Sequence, residues 1–333
     1  MAKKKKEQLE ESDNTVAGAI DLIGKRYGKG SVMIGADNFP DIERIHSGSL
    51  GLDYALNGGW PRGRMVELYG PPSSGKTNVA LHAIREEQRA GGTCAFIDLE
   101  HALDAAYATS IGVDMDTLLV AQPDSGEQAL DIIEVLTRTG EVKLIAVDSV
   151  ANLVPEAELA GDYGQAHMGL QARLMSQGMR KLTALVSNNN VCLMFLNQTR
   201  SSLSPYGSPI TVTGGNALKF YASQRIQTKV AAKILDKDEI TAVTIEAKVI
   251  KNKVGFPFRS AMFDIRSDCT GIDKFKEILT LGVKYEFIEK GGSWYSYEGE
   301  RLGQGERNVS DKLRSEPELA EKIEEQVRKA MNQ

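Results

Sequence analysis

Eight consecutive residues carry the first chemical signal. Gly70-Pro71-Pro72-Ser73-Ser74-Gly75-Lys76-Thr77 fits the pattern G-x-x-x-x-G-K-[ST]. In this pattern the glycines let the backbone wrap an anion. The loop N–H groups and the N-terminus of the next helix face it. Lys76 is placed to reach the β and γ phosphates of a nucleoside triphosphate, and the Thr77 hydroxyl to ligate Mg2+. The context agrees, since Met65 to Tyr69 is strand-like and Asn78 to Arg89 is helical. Asp148, ending the strand Leu144 to Val147, is the expected second acidic site, holding the metal directly or through water. Glu100 follows the strand Thr93 to Asp98 and is assigned as the general base that activates water. Gln198, after the strand Val191 to Leu196, is expected to sense the γ phosphate and signal to the loop that follows. Ligands of open α/β sheets bind outside the carboxyl ends of the strands, where both side chains fall. Taken singly, Glu100 also reads as a surface carboxylate, and Gln198 as a polar residue at a strand end.

These residues need a scaffold, and the pattern supplies one. From about Ile45 to Ser267, short apolar strands alternate with helical windows such as Ser125 to Thr139 and Gly169 to Ser187. Such alternation predicts an α/β fold, a mainly parallel twisted sheet with helices on both faces. Two segments break the rhythm, Glu156 to His167 and Thr199 to Gly215, and loops this long inside a domain are usually functional. A short helix beginning near Val16 ends at Tyr27-Gly28-Lys29-Gly30-Ser31. Beyond Lys274 the texture changes to aromatic turns (Trp294-Tyr295-Ser296-Tyr297) and a last helix. Ser315 and Glu318 read as that helix's capping box, with Glu324/Arg328 and Glu325/Lys329 as i, i+4 pairs. The expected domains are an N-terminal arm over 1–37, a core over 38–273 with loops at about 156–168 and 199–215, and a small C-terminal α/β domain over 274–333.

Composition excludes several classes. Of 333 residues, 40 are Lys or Arg and 45 Asp or Glu, giving a net charge of −5. A wholly basic nucleic-acid coat protein is thereby excluded, but a basic patch is not. With 41% hydrophobic and 26% charged residues, global disorder is excluded too. Three scattered cysteines, Cys94, Cys192 and Cys269, make neither a disulfide framework nor a CxxC metal site. No apolar stretch follows the four lysines at the start, so a signal peptide is not expected. Val191 to Leu196, the longest apolar run, is far short of a membrane span. A soluble, cytoplasmic protein without a membrane partner is the expectation.

Further motifs make the reading sharper. Gly70 to Thr77, Phe96 to Asp104, His167-Met168-Gly169-Leu170, Asn197-Gln198, Thr213 to Ser223, Lys251-Asn252-Lys253 and Trp294 to Tyr297 occur in order. Together they resemble the bacterial RecA recombinase family, over about Val16 to Met331. The resemblance implies an ATP- and Mg2+-dependent filament on single-stranded DNA that pairs it with homologous duplex and exchanges strands. It implies Glu100 as catalytic base, Gln198 as γ-phosphate switch, Tyr107 as the tyrosine that stacks on adenine, and Asp104 as a nearby adenine contact. Lys251 and Lys253 match lysines that reach a neighbouring subunit's phosphates, which makes hydrolysis depend on assembly. The two irregular segments match the family's DNA-binding loops. Met168, Arg173, Arg180, Arg200, Tyr206, Gly214, Gly215 and Asn216 are the implied DNA contacts. Lys219, Phe220 and Arg225 are the implied subunit contacts. A repressor whose self-cleavage is stimulated is a further implied partner.

The chain also departs from the family's pattern. Asn78, expected with Gly70 to Thr77 among the nucleotide-binding residues, stands where a second Thr is usual, and Pro72 where Glu is common. The second loop carries Ser201-Ser202 without a lysine, and Tyr206 in place of Phe. Arg266 to Gly271 differs from the stretch that closes over adenine, and the acidic tail many members carry is not expected here. These changes suggest a divergent member, of bacterial or phage source. The same residues leave two other readings open: a DNA-binding filament scaffold without strand exchange, and a ring-type DNA motor.

Overall fold

The computed structural model describes residues 15–28, 31–32, 41–162, 169–201 and 210–331. Helix α1 (Val16–Tyr27) stands in a unit of its own, distinct from the unit that runs from Glu43 to the end. The Thr15 side chain accepts a hydrogen bond from the Gly18 N–H at its start. Lys25 and Arg26 occupy its last turn, where cations suit the helix dipole.

The larger unit opens with β1 (Arg44–Ile45), α2 (Leu50–Ala55), β2 (Trp60–Pro61) and β3 (Arg64–Gly70). Next come α3 (Lys76–Arg89), β4 (Thr93–Asp98), α4 (Ala105–Ile111), β5 (Leu119–Ala121), α5 (Gly126–Arg138) and β6 (Val142–Asp148). A 3-10 turn at Val150–Asn152 leads to α6 (Glu156–Leu159), α7 (Leu170–Asn188), β7 (Cys192–Ser201), β8 (Ile210–Val212) and α8 (Ala217–Tyr221). Four strands follow, β9 (Gln224–Asp236), β10 (Glu239–Asn252), β11 (Ser260–Arg266) and β12 (Gly271–Ile272).

The main sheet has the order β12-β11-β10-β9-β3-β7-β6-β4-β5, with β8 hairpinned onto β7. From β9 through β3, β7, β6 and β4 to β5 every neighbouring pair is parallel. Alternate residues along these strands enter two cores, which is why the strands read as continuous apolar runs. Val66, Leu68, Phe96 and Leu144 pack with Val79 and Ile84 of α3. Met65, Ile97, Ile145 and Phe195 pack with Ile133 of α5 and with Met179 and Leu182 of α7.

Two expectations are corrected. The rhythm expected through Ser267 fails after β9, where β10, β11 and β12 add to the sheet antiparallel. The turn joining β9 to β10 uses Lys237 and Asp238, both at positive φ (49 and 74), without the Asn-Gly signature that marks such turns. The segment from Glu156 begins with a single helical turn, α6, rather than with irregular chain.

The C-terminal part comprises α9 (Lys274–Lys284), the antiparallel meander β13 (Ile288–Gly291), β14 (Trp294–Tyr297) and β15 (Glu300–Gln304), and then α10 (Glu306–Ser315) and α11 (Pro317–Met331). Ile278, Tyr295, Leu313, Ile323 and Val327 build its own core. The Ser315 cap is corrected as well. Ser315 ends α10, donating its hydroxyl to the Lys312 carbonyl at 2.8 Å, and Pro317 opens α11. The expected pairs along α11 are present, Glu324–Arg328 at 2.9 Å and Glu325–Lys329 at 2.7 Å. Glu277 of α9 binds this part to the start of α2, accepting from Ser49 Oγ at 2.7 Å, Leu50 N at 3.0 Å and Gly51 N at 2.8 Å. Burial pushes its carboxyl up to about 7 against those three bonds, which favour the ionised form.

Candidate nucleotide and DNA site

The phosphate loop joins β3 to α3 at the carboxyl edge of the sheet. Gly75 sits at φ +81, a conformation that favours glycine, and a Cβ there would come within 2.9 Å of Ile265 Cδ1, whose side chain would have to shift. Ser74 Oγ donates to the Pro71 carbonyl at 2.8 Å and stiffens the loop. Lys76 donates to the Pro71 carbonyl at 2.7 Å and the Gly70 carbonyl at 3.2 Å, so its ammonium rests inside the loop it serves. Burial lowers its pKa, while Asp148 and Glu100 pull the other way.

Thr77 donates its hydroxyl to Asp148 Oδ2 at 2.7 Å. Burial pushes the Asp148 carboxyl up to about 6; Glu100 and Asp98 add to the rise, and the Thr77 bond opposes it. A hydroxyl and a carboxylate in contact are hard oxygen donors of the kind Mg2+ takes. Among the described residues no group of three or more His, Cys, Asp or Glu gathers for a metal. That fits a cation held by one or two protein oxygens plus substrate phosphates and water. Bound there, Mg2+ supplies charge neutralisation to the phosphates.

Glu100 follows β4 and Gln198 lies on β7. Glu100 Oε1 accepts from Gln198 Nε2 at 2.7 Å and from Ser149 Oγ at 2.6 Å. Ser149 follows Asp148 directly, so one carboxylate joins the metal-side strand to the start of the second irregular segment. Asp98 positions the turn that carries Glu100, accepting from Ala102 N and Leu103 N, each at 3.2 Å, and from Gln122 Nε2 at 2.9 Å. The sequence reading gives neither Ser149 nor Asp98 a role: Ser149 reaches Glu100 only because β4 and β6 lie side by side, while Asp98, two residues before Glu100, acts through bonds to the turn that follows it.

A cavity of about 300 Å³ lies over the loop, lined by Ser73 to Asn78, Tyr107 and three apolar residues of β10 and β11. Tyr107 is half-buried, and burial raises its phenol pKa. Asp104 spends Oδ1 on capping α4, accepting from Ala106 N at 2.8 Å and Tyr107 N at 3.1 Å, and does not line that cavity. A larger cavity, about 580 Å³, lies between the β9–β10 hairpin and α10. Several of its charged groups are already paired with one another, Arg307–Asp236, Lys276–Asp264 and Arg266–Asp273 among them.

Beneath Gln198 lies a buried polar network. Asn197 donates to Glu67 Oε1 at 2.9 Å and to the Thr213 carbonyl at 3.2 Å, and accepts from Thr213 Oγ1 at 2.6 Å. Glu67 also pairs with Arg225, whose guanidinium lies 4.6 Å from the Tyr69 ring centroid. Asn197 thus clasps the two ends of the second irregular segment. Arg225, implied as a subunit contact, lies buried at 7% exposure in this network.

The other implied contacts fall on the surface. Lys251 Nζ donates to the Lys219 carbonyl at 2.8 Å and the Phe220 carbonyl at 2.9 Å, and Lys253 Nζ to the latter at 3.2 Å. Lys219, Phe220, Lys251 and Lys253 therefore form one patch at the end of α8, with Phe220 66% exposed. Neither lysine lines the cavity over the chain's own phosphate loop. Arg173 and Arg180 are exposed on α7, and Arg200 on β7. Gly214 and Gly215, at φ +79 and +75, pack against Val150 and Ala172, and Asn216 is exposed beside them. Met168 and Tyr206 lie outside the described residues.

Fold and loop together define a P-loop nucleoside triphosphatase. Comparison makes this specific. The description "RecA N-terminal domain" matches residues 14–273, and "RecA C-terminal domain" matches residues 276–332. The chain is 53% identical over 321 residues to Protein RecA of Gluconacetobacter polyoxogenes, covering 96% of this chain and 92% of that one. It is 51% identical over 327 residues to Protein RecA of Desulforapulum autotrophicum, covering 97% and 94%. It is 52% identical over 321 residues to Protein RecA of Rickettsia prowazekii, covering 96% and 94%. The chain belongs to the RecA family. It is a DNA-dependent ATPase and strand-exchange recombinase of DNA recombination and repair, using ATP with Mg2+, binding DNA and forming filaments. Among the described residues no helix is long and apolar enough to cross a membrane.

Proposed function

We propose that the phosphate loop and the two irregular segments operate as one ATP-gated DNA switch, completed by a neighbouring subunit. Lys76 with Thr77 and Asp148 holds the triphosphate and its Mg2+, and Tyr107 with Asp104 holds the base. Glu100 takes the proton of the attacking water. Gln198 reports the γ phosphate. Lys251 and Lys253 act on a neighbour's phosphates, beside a contact patch of Lys219 and Phe220. Arg173, Arg180, Arg200 and the turn Gly214 to Asn216 meet DNA with Met168 and Tyr206. Contacts of this type bind backbone and stack on any base, so the choice of sequence passes to base pairing. Domain limits of 1–37, 38–273 and 274–333 suit this division of work. Cytoplasmic residence follows from the DNA substrate. Stimulation of a repressor's self-cleavage rests on the family resemblance alone.

The observation that carries the proposal is the Glu100 carboxylate, hydrogen-bonded at once to Ser149 beside Asp148 and to Gln198 above the Asn197 clasp. A γ phosphate arriving beside Glu100 competes for the Gln198 amide, and the released amide pulls on the second segment. Single-stranded DNA titrations of Q198A, with and without a non-hydrolysable ATP analogue, test it. Q198A is expected to bind nucleotide yet hold DNA equally with and without it. A full nucleotide response in Q198A contradicts the switch.

A further inference from the structure

We propose that Glu67 is a positioning residue that couples the second irregular segment to the neighbour-facing lysines, each of its carboxylate oxygens holding one side. The inference rests on the reading above of Lys251 and of that segment. It gives a role to a buried charge which that reading leaves without one. Glu67 lies on β3, three residues before the first glycine of the phosphate loop, and is wholly buried. Its Oε1 accepts from Asn197 Nδ2 at 2.9 Å, and its Oε2 from Arg225 Nε.

The first oxygen leads to the segment. Asn197 directly precedes Gln198 and bonds both the carbonyl and the hydroxyl of Thr213. The second oxygen leads to the patch. Arg225 stands opposite Lys251 in the antiparallel register of β9 and β10, and Lys251 Nζ reaches the Lys219 and Phe220 carbonyls of α8. A carboxylate is a rigid plane with two acceptor oxygens, so it cannot turn to follow one partner without moving the other. The guanidinium also lies 4.6 Å from the ring centroid of Tyr69, the residue directly before Gly70. Stability alone does not call for charges here, because apolar side chains of similar size commonly serve as well as a buried ion pair. Backbone pairing from Val66 to Tyr69 already joins β3 to β9.

The same charges act on Lys251 itself. Burial lowers its pKa most, Lys253 and Arg225 lower it further, and Glu67 on β3 raises it. The side facing α8 presents the two carbonyls. Loss of the Arg225 charge should therefore keep Lys251 charged to higher pH, and loss of the Glu67 charge should discharge it at lower pH. A carboxylate that only held two strands together would not move the two midpoints in opposite directions.

The test measures single-stranded DNA affinity of the full chain with and without a non-hydrolysable ATP analogue. The pH profile of DNA-dependent ATP hydrolysis and melting temperatures are read in parallel. The variants are E67Q, R225M, E67M/R225M, K251A and E67M/R225M/K251A. E67M/R225M should melt near wild type, since no buried charge is left alone. Its nucleotide-driven gain in DNA affinity should still shrink about fivefold or more, because Asn197 keeps Thr213 but is cut off from Arg225. K251A should shrink the gain likewise, and added to the double variant it should cost nothing further. The pH midpoint should rise in R225M, read well below its melting temperature, and fall in E67Q. A full nucleotide response in E67M/R225M overturns the proposal, as do losses that multiply in the triple variant. Should the double variant melt early, E67Q decides, since it keeps the side chain's bulk and an oxygen for Asn197. A wild-type midpoint in E67Q then overturns the proposal. Should K251A keep full DNA-dependent hydrolysis, the reading of Lys251 itself falls. Should K251A lose it while E67Q and E67M/R225M behave as wild type, the role of Glu67 alone falls.

Discussion

Lys251 is a cation set to titrate in the working range. Burial lowers its pKa to about 8, helped by the positive charges of Lys253 and Arg225, while Glu67 opposes. A lowered ammonium pKa means that charge disappears as pH rises through it. DNA-dependent hydrolysis should therefore fall above about pH 8 if Lys251 must be charged to meet a neighbour's phosphates. In K253A one repelling cation is gone, so the midpoint of the fall should move to higher pH. An unmoved midpoint contradicts the assignment. Lys76, Thr77 and Asp148 were legible from the sequence because their motif and its flanking strands are local. Ser149 was not, since its value comes from lying beside Glu100 across strands, and Asp98 was not, since its bonds to the turn after β4 appear only in the fold. Asn78 was legible both as a nucleotide-binding residue and as a departure, but the bond its amide donates to the Tyr107 hydroxyl belongs to tertiary structure.

At the scale of elements, the pair Glu67–Arg225 joins β3 to β9 at facing register positions. Both side chains are buried, Glu67 at 0% and Arg225 at 7% exposure. Removing one partner leaves a buried charge uncompensated. R225A should therefore lose about 3–5 kcal/mol of stability in denaturant unfolding, with a lower melting temperature. Wild-type stability in R225A would show that water reaches the carboxylate. The parallel half of the sheet could be read from its strand–helix alternation. The β9–β12 half could not, because its strands lie half in solvent and its turn lacks the usual glycine. Ser315 misled for a related reason: a capping box fits Ser315 and Glu318 locally, yet α10 runs through Ser315 and the proline decides where α11 starts.

At the scale of the whole molecule, the chain presents half a site twice. The phosphate loop, Glu100 and Gln198 lie at one place, and Lys251 with Lys253 does not line the cavity there. E100Q and K251A should each lose most DNA-dependent ATPase, but an equimolar mixture should recover about a quarter of it, since a quarter of random junctions unite two intact halves. No recovery on mixing would place both groups in one subunit's site. The arrangement of subunits was legible only through resemblance, because spacing and periodicity within one chain carry no information about a neighbour. The most direct measurement is ATP hydrolysis with and without single-stranded DNA, across a salt titration. The account predicts strong stimulation by DNA that rising salt abolishes, as phosphate contacts are screened. A rate indifferent to DNA would contradict it, breaking the link from Glu100 and Gln198 to the DNA-binding segments.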